Sequence, residues 1–498
     1  MRKLLISVRF AMSKCDSIRA ILSGLSIAEQ GSMISSFTRF VFIVACYLGL
    51  ISPAMASLPS CRHLLSPFLK ELPPTAKIYL NDTLNSLEQM RGENGLVKDT
   101  IWLGQSVNGP PIISVLNPNT SPTNIAVDLL VQTEVGANPT ILKILKTLEK
   151  LPFHLPTGLF FSRYSADKFS SVIDRDISAI DNLHLSIALW TIKRNHPQSE
   201  MGRISKRLFE RMNFQVYYER KSGLVGGNLR YTDGTWFREA YNFDHFGSEA
   251  RLLYSAGWAL GLFHDERHNN QFLKRAVAAL KIELHSSQQG ELLRLWDGSA
   301  FQLYFPKIFA AEENYSLKMQ SFYKAHLDFI VTEGERRHLP LPAAHSAGRT
   351  SIDVYRDKSG HRELVSKDNN DLHDPQMGEV WDQTIQPYAL FMAATSNPSR
   401  IIEMLETIET AKLATPGLYV PTMGWVDGLH VGETKNSEVV PAQLSLNQAM
   451  IALSLLQMHS VDGMSPSGRA IQAVPSVRER MQRFYDLVEK KLNNQLAP

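Results

Sequence analysis

Apolar residues recur every three or four positions along most of the chain, which is the spacing of buried helical faces and not of strands. From about residue 120 onward, the helical segments come in pairs. The first member of each pair is apolar almost all round, and the second is amphipathic. A helix that is apolar all round must be buried, and an amphipathic helix can cover it.

Six pairs follow one another, and each joins a buried helix to a covering one. Asn138 followed by Pro139, for example, is an N-cap with proline at the first helical position. The predicted pairs are 121–135 with 138–151, 178–194 with 197–212, 247–263 with 267–280, 298–310 with 316–332, 382–395 with 398–412, and 443–458 with 476–492. The pattern predicts an all-α fold, an (α/α)6 toroid of six inner and six outer helices, over residues 120–498. Residues 57–119 are predicted to be an N-terminal lead packed on the toroid, with a short helix at 82–91.

Long connections lead from each covering helix into the next buried helix. They span residues 152–177, 213–246, 281–297, 333–381 and 413–441, and they are rich in Gly, Asp and aromatic residues. Loops of this length inside a compact domain are usually functional. Because all five would emerge on one face, at the leading ends of the inner helices, we expect a pocket there.

The first 56 residues have a different character. From Met33 the chain has a short basic region, an apolar run at 40–51 and the small-residue triplet 54–56, which is the layout of a signal peptide cleaved after Ala56. Residues 1–32 are interpreted as an upstream extension. We therefore expect an exported, periplasmic or extracellular protein with no transmembrane segment after cleavage. Cys61 lies too far from the apolar run to favour a lipoprotein anchor.

Composition excludes several classes of protein. The chain is 44% hydrophobic and 20% charged, with 52 basic and 49 acidic residues, which is typical of a globular protein. Removing residues 1–56 would take away six basic and two acidic residues and leave 46 and 47. A neutral chain without a basic cluster is not expected to bind nucleic acid. Only Cys61 would remain after cleavage, so an intramolecular disulfide is not expected.

Polar side chains recur at the starts of the inner helices, where the pocket is predicted. Asp181 and Glu249 open apolar helices, and a carboxylate there must be paired, hydrogen-bonded or facing a polar cavity. Arg251 is a candidate partner in a structural ion pair, and N-capping is the alternative for Asp174 and Asp297. The remaining candidates at helix starts are Asn124, Asp176, Asn182, Gln302, Asp382, Gln383, Gln386, Asn447 and Gln448.

Aromatic residues accompany these polar groups in or beside four of the five long loops: Trp236, Tyr241, Trp296, Trp381, Tyr388 and Trp425. Flat rings surrounded by hydrogen-bonding groups suit a sugar, and glycoside cleavage needs two carboxyl groups. Other chemistry is not indicated. His264 and His268 lack a third metal ligand, and there is no nucleophile elbow, phosphate loop or dinucleotide motif, so we expect neither metal nor cofactor.

Several segments, in order from about residue 93 to 460, resemble motifs of bacterial glycoamylase-like domains. These are 120–126 ("SPTNIG"), 157–164 ("G-x-F-x-x-W-Y"), 178–182 ("STVDN"), 247–252 ("SEARL"), 298–301 ("SGSMFEY") and 386–389 ("APYA"). The resemblance implies an (α/α)6 toroid related to β-glucan-active enzymes, including inverting endo-β-1,2-glucanases and cyclic β-glucan synthase domains. It also implies that Asp181 and Glu249 lie in the pocket. Leu183 replaces a family glycine, and Asn447 and Ala449 replace the first and last residues of a "D-Q-G" motif.

Two hypotheses follow. In the first, the protein is an exported glycoside hydrolase or transglycosylase acting on a bacterial glucan, with a β-linked glucan and an inverting mechanism expected. Glu249 would be the general acid, Asp181 would orient or activate water, and Asp176 would be the reserve candidate for a catalytic carboxylate. The substrate-binding residues would be Asn124, Asn182, Trp236, Tyr241, Arg251, Trp296, Asp297, Trp381, Gln386, Tyr388, Trp425 and Gln448. In the second, the toroid binds an envelope polysaccharide or a protein without cutting it, as the altered 445–449 segment suggests.

Overall fold

Helices make up most of the chain in the computed structural model, which describes residues 73–104, 112–166, 171–264, 270–346, 348–349, 355–356, 360–367, 384–397, 400–431 and 437–496. The predicted leader, Cys61, His268, Trp381, Asp382 and Gln383 lie outside these residues. The α-helices are α1 (Pro74–Met90), α2 (Pro122–Val135), α3 (Asn138–Lys150), α4 (Ala179–Asn195), α5 (Glu200–Arg211), α6 (Asn270–Ala279), α7 (Ala300–Ala310), α8 (Leu317–Arg336), α9 (Pro387–Ala394), α10 (Ile401–Ala414), α11 (Ser445–His459), α12 (Pro466–Gln472) and α13 (Pro475–Leu496). None of the described helices is both long enough and apolar enough to cross a bilayer.

Short antiparallel strands lie in the connections between helices. Three-stranded sheets have the orders β19-β1-β2, β3-β6-β7 and β14-β17-β18, and the other strands form two-stranded hairpins. The strands are β1 (Thr100–Gly104), β2 (Ile112–Asn117), β3 (Asn119–Thr120), β4 (Phe153–His154), β5 (Leu159–Phe160), β6 (Arg163–Ser165), β7 (Val172–Asp174), β8 (Leu229–Thr232), β9 (Thr235–Arg238), β10 (Leu284–Ser287), β11 (Gly290–Leu293), β12 (Gly348–Arg349), β13 (Tyr355–Arg356), β14 (Thr384–Ile385), β15 (Tyr419–Val420), β16 (Gly424–Trp425), β17 (Gly428–Val431), β18 (Ser437–Val440) and β19 (Ala442–Leu444).

The predicted inner helices form the core of the described chain, and α2, α4, α7, α9 and α11 are buried along nearly their whole length. The third predicted inner helix, 247–263, is shorter than expected. Its helical part spans residues 251–259, and Leu253–Gly257 within it is π-helical. Such π-helical segments are rare and often occur near functional sites. The prediction of a mainly helical protein is confirmed, and the architecture is compatible with an all-α toroid.

Neighbouring inner helices contact one another in sequence order. Helix α2 packs on α4, α4 packs on the π-helical segment, α7 packs on α9, α9 packs on α11, and α11 returns to α2. Between the π-helical segment and α7, the Arg251 guanidinium donates hydrogen bonds to the carbonyl oxygens of Gln302 and Leu303, both at 2.7 Å. Every inner helix is therefore joined to two others.

Backbone hydrogen bonds also join the loops that precede these helices into a closed series. We call this series the loop belt. Its links, in order, join 445 to 99, 99 to 119, 120 to 164, 162 to 176, 177 to 229, 227 to 241, 244 to 281, 281 to 246, 247 to 296, 298 to 361, 300 to 345, 344 to 386, 384 to 430 and 427 to 442. Loops that are far apart in sequence are therefore joined to one another around the leading turns of the inner helices.

The opposite ends of three inner helices are covered by α12, a helix that the sequence did not predict. This short helix packs on α2, α4 and α7 together. Ser465, its N-cap, donates from its hydroxyl to the carbonyl of Ile308 near the end of α7, and Arg469 pairs with Glu134 near the end of α2. Helix α12 therefore ties the far ends of three inner helices together, opposite the leading ends that carry the candidate carboxylates.

The covering helices differ from the prediction in one respect. Helix α1 begins eight residues earlier than expected and packs on α11, and Ser86 on α1 donates to the side chain of Gln443 in β19, just before α11, at 2.7 Å. Helix α13 was paired with α11 in the sequence reading, but in the structure it packs on α6, α12 and the π-helical segment. The N-terminal lead thus supplies the helix that covers the last inner helix.

Candidate active site

Glu249 lies in the turn that leads into the π-helical segment. Its backbone N–H donates to the side-chain oxygen of Gln302 at 2.8 Å, and the Ser248 hydroxyl donates to its carboxyl group at 3.1 Å. The residue keeps some exposed surface although protein surrounds the carboxyl group closely. Burial, followed by the nearby negative charge of Asp297, raises the pKa of Glu249 to about 7. A carboxyl group with such a pKa can supply a proton at neutral pH.

Asp181 opens α4, where the Ser178 hydroxyl accepts a hydrogen bond from its N–H at 3.1 Å and caps the helix. The Thr123 hydroxyl, in the first turn of α2, donates to the Asp181 carboxyl at 2.5 Å. Burial raises the pKa of Asp181, while the Thr123 and Ser178 hydroxyls and the charge of Arg163 act in the opposite direction. Asp181 is therefore a partly exposed carboxyl group whose ionised form has dedicated hydrogen-bond donors.

Asp297 precedes α7 and is the third carboxyl group of the site. Its side chain accepts a hydrogen bond from the Ser299 N–H at 2.9 Å, which is a local turn contact, because Ser299 and not Asp297 is the N-cap residue of α7. Gly298 beside it has φ +70°, and a Cβ there would lie 2.3 Å from the His361 carbonyl oxygen. The turn that brings Asp297 into electrostatic range of Glu249 thus requires glycine.

Asp176 is engaged in a surface ion pair. Arg230 donates to one of its carboxyl oxygens at 2.7 Å, and the backbone N–H of Tyr231 donates to the other at 3.1 Å. Arg230 also binds Glu239 at 2.7 Å. These contacts hold the β8–β9 hairpin against the loop before α4. Asp176 therefore has a structural role.

Several of the predicted substrate-binding residues are buried in the loop belt. Asn182 binds the backbone of Phe160. Its side-chain oxygen accepts a hydrogen bond from the Phe160 N–H, and its side-chain NH2 donates one to the Phe160 carbonyl, both at 2.8 Å. Asn124 donates to Asp99 at 2.9 Å, and Gln448 donates to the carbonyl of Trp425 at 2.6 Å. The residues with 3% exposure or less are Asn124, Asn182, Arg251, Gln386, Tyr388, Trp425 and Gln448. The structure buries these side chains in the loop belt, and their contact with a substrate stays a prediction.

Arg251 differs most from its prediction. It is fully buried and pairs with Glu312 at 2.8 Å, not with Glu249. Tyr323 and Tyr485 also donate their hydroxyls to Glu312. The ion pair is structural, as one alternative had it, but its partner comes from beyond the end of α7.

The aromatic residues that remain accessible lie at one side of the site. Trp236 is half-buried and stacks on Phe161, with ring centroids 6.0 Å apart and planes 9° apart. Tyr241 is 47% exposed, and Trp296 is half-buried against His245. These three predicted positions can still present rings to a ligand.

Aromatic packing fills the space between the inner helices beneath the carboxylates. The ring centroid of Phe305 lies 4.5 Å from that of His184 and 4.5 Å from that of Phe301. Phe301 is only partly buried. Thr123 and His184, which the sequence did not indicate as site residues, are joined to the Asp181 carboxyl by hydrogen bonds, and Gln302 accepts one from the Glu249 N–H. The only signal for His184 in the sequence was a single histidine in an otherwise apolar helix.

The departures from the resembled motifs have structural explanations. Leu183 is fully buried, and its Cδ1 lies 3.2 Å from the point where a Cβ of Gly257 would be, so it packs on the π-helical segment. Asn447 donates to the buried carboxylate of Asp427. Position 447 thus contributes an amide group, and the carboxylate that it contacts belongs to the loop residue Asp427. Among the described residues, no group of three or more His, Cys, Asp or Glu is arranged to hold a metal.

Solved structures that share this fold include endo-β-1,2-glucanases and a protein provisionally named a glucoamylase. No family model and no curated protein matches the sequence. An endo-β-1,2-glucanase from Talaromyces funiculosus, solved with sophorose, aligns at TM-score 0.62 and 12% identity over 84% of this chain and 89% of its own. An endo-β-1,2-glucanase from Chitinophaga pinensis, solved with sophorotriose and glucose, aligns at 0.57 and 12% over 82% and 97%. A provisionally named glucoamylase from Bacteroides caccae aligns at 0.57 and 11% over 82% and 98%. The chain therefore shares its fold with glucoamylase-like proteins and endo-β-1,2-glucanases.

Proposed function

We propose that this chain is a glycoside hydrolase that cleaves a β-linked glucan with inversion, and that Glu249 and Asp181 are its general acid and general base. The observation that carries the proposal is the different environment of the two carboxyl groups. Burial raises the pKa of both groups, but their neighbours act with opposite sign: the negative charge of Asp297 raises the pKa of Glu249 further, whereas Thr123, Ser178 and Arg163 act against the rise at Asp181. Acid-base cleavage of a glycoside needs one protonated and one ionised carboxyl group, and these neighbours favour Glu249 for the first role and Asp181 for the second.

The architecture that we propose for the site is the (α/α)6 toroid. The contacts between successive inner helices and the closed loop belt support it, because both return to their starting point after six leading turns. The same-fold neighbours that bind sophorose and sophorotriose make β-1,2-glucan the first substrate to test. The signal-peptide pattern at 33–56 leads us to propose that the enzyme acts outside the cytoplasm.

The proposed reaction is a single displacement. Glu249 donates its proton to the leaving glycosidic oxygen as the bond to the anomeric carbon breaks. Asp181 takes a proton from the water that attacks the opposite side of that carbon, so that the products gain one H and one OH in total. Proton exchange with solvent returns both groups to their starting states. Aromatic rings such as Trp236 and Tyr241 would stack on the C–H faces of the sugar chain.

The test of this function is the release of reducing ends from a panel of β-1,2-, β-1,3- and α-linked glucans. We expect release from a β-linked member, and proton NMR of the first product should show the α-anomer before mutarotation. A first product with the β-anomer would contradict inversion. Release from no glucan, together with retention on glucan columns, would favour the alternative of a non-catalytic polysaccharide-binding protein. The burial of Asn447 and Asp427 is the observation that keeps this alternative open.

Asp181 and Asp176 should respond differently to the same substitution. Asp181→Asn removes the proposed base, and we expect kcat to fall by about 100-fold or more. Asp176→Asn weakens a partly exposed ion pair, for which we expect a stability change of about 1 kcal/mol or less and near-normal kcat. Steady-state kinetics on the active glucan separate the two outcomes. A larger loss in Asp176→Asn than in Asp181→Asn would transfer the base role to Asp176.

A further inference from the structure

A chain of three polar side chains links α2 to α4 directly beneath the proposed base. Thr123 lies in the first turn of α2, and Asp181 and His184 lie one helical turn apart on α4. The Thr123 hydroxyl oxygen is 2.5 Å from the Asp181 carboxyl and 2.9 Å from Nδ1 of His184. Thr123 is 6% exposed and His184 is 1% exposed, so the chain is sheltered from solvent.

The single proton of the hydroxyl fixes the direction of both hydrogen bonds. An ionised carboxylate can only accept, so Thr123 donates to Asp181. The Thr123 oxygen must then accept the other bond, and the donor is His184 with its proton on Nδ1. On the far side of the ring, Nε2 is buried without a hydrogen-bond partner in the described part of the chain, and Phe305 and Phe309 pack against the imidazole.

This environment keeps His184 neutral. Burial lowers its pKa to about 3, so it does not gain a second proton in the range where most proteins are folded. A neutral imidazole with its proton on Nδ1 is a permanent donor in a fixed orientation. The ring therefore holds the Thr123 hydroxyl in the one rotation that points its proton at Asp181.

We propose that Thr123 and His184 are positioning residues that hold the Asp181 carboxylate ionised and correctly oriented to accept a proton from water. The inference rests on the proposed function, because it assigns Asp181 the role of base. It adds two residues that do not touch the substrate and that act through a third. Loss of either donor should make Asp181 harder to ionise and should leave substrate binding nearly unchanged.

The other groups that face Asp181 do not replace this pair. Ser178 precedes it on the same chain segment, and Arg163 contributes a positive charge from β6. Tyr217 is within electrostatic range of Asp181, but its hydroxyl donates to the carbonyl of Ile177 at 2.9 Å. Thr123 is thus the donor that reaches Asp181 from a neighbouring inner helix.

The first test is the pH dependence of kcat in Thr123→Val, which keeps the shape of the side chain and removes the hydroxyl. The acid limb reports the ionisation of the base, so losing a donor to the charged form should move that limb upward by roughly one pH unit. At pH values below both midpoints we expect kcat to fall by up to about 10-fold, and at every pH KM should stay within about threefold of wild type. Thr123→Ser should restore the limb. The matched control is Thr133→Val, whose hydroxyl bonds only within α2, to the Leu129 carbonyl at 2.7 Å.

The second test concerns His184. His184→Leu removes the donor and should shift the limb as Thr123→Val does, whereas His184→Asn keeps a donor near the Nδ1 position and should shift it less. If His184→Leu does not fold, as judged by urea unfolding, the Thr123 variants carry the test alone. Loss of activity in Asp181→Asn together with a wild-type acid limb in Thr123→Val would overturn the positioning role only. Full activity in Asp181→Asn would overturn the proposed function itself.

Discussion

Replacing Glu249 by glutamine should abolish glucan hydrolysis and leave the protein folded. Glutamine has the shape of protonated glutamic acid but cannot donate its proton to the leaving oxygen, so we expect kcat to fall by about 100-fold to 10,000-fold. The Gln302 contact to residue 249 uses the backbone N–H and would be kept. Reducing-end assays on the active glucan measure the loss, and Glu363→Gln, whose side chain is 68% exposed, is the matched control.

The pH dependence of the wild type should identify the same residue. The pKa of Glu249 is raised to about 7, so its protonated form is present below pH 7 and is lost as the pH rises through 7. Activity should therefore fall on the alkaline side with a midpoint near pH 7. Stability should follow the same sign, because an ionised and buried carboxylate disfavours folding as the pH rises above the unfolded pKa. Glu249→Gln should then be more stable than wild type at pH 8. Reduced stability at pH 8 would contradict the buried, uncompensated state of this carboxyl group.

Replacing Arg251 by methionine should cause a large loss of stability. Arg251 and Glu312 are both fully buried, and the variant would leave the Glu312 charge without its cation. Removing one partner of a buried pair costs about 3–5 kcal/mol. The loss should also loosen the leading turn that holds Glu249, because Arg251 binds the carbonyl of Ser248 at 3.1 Å. Urea unfolding, followed by circular dichroism, measures the change.

The control for this prediction is an exposed ion pair of similar geometry. Arg336 and Glu333 lie 2.6 Å apart at the end of α8, with the Arg336 side chain 66% exposed. Arg336→Met should change the free energy of unfolding by about 1 kcal/mol or less. Equal effects of the two substitutions would mean that the buried network contributes no more than a surface pair.

The sequence predicted the helices well because hydrophobic period and burial are local properties. The predicted segments 121–135 and 298–310 differ from α2 and α7 by two residues or fewer at either end. The segment 247–263 was predicted too long, since its first residues form the turn that carries Glu249. Helix α12 was missed because seven residues with proline and glycine give almost no periodic signal.

The candidate site could be predicted only in part, and the reason is physical. A polar residue at a helix start can face a cavity or fasten a neighbouring loop, and both uses need the same residue types. Asn182 and Asn124 serve the loop belt, with partners 22 and 25 residues away. Arg251 pairs with Glu312, which is 61 residues away in the sequence. Glu249 and Asp181 do lie at the leading ends of buried helices, but the different environments of the two carboxyl groups depend on Asp297 and Thr123, which lie in other loops and helices.

The most direct test of the account is a crystal structure of Glu249→Gln with an oligosaccharide of the glucan that the wild type cleaves. The account predicts a glycosidic oxygen within hydrogen-bond reach of the side chain at 249, about 2.6–3.2 Å, and a water held by Asp181 on the opposite side of the anomeric carbon. An oligosaccharide bound elsewhere on the protein, or bound with both carboxyl groups on the same side of the sugar, would contradict it.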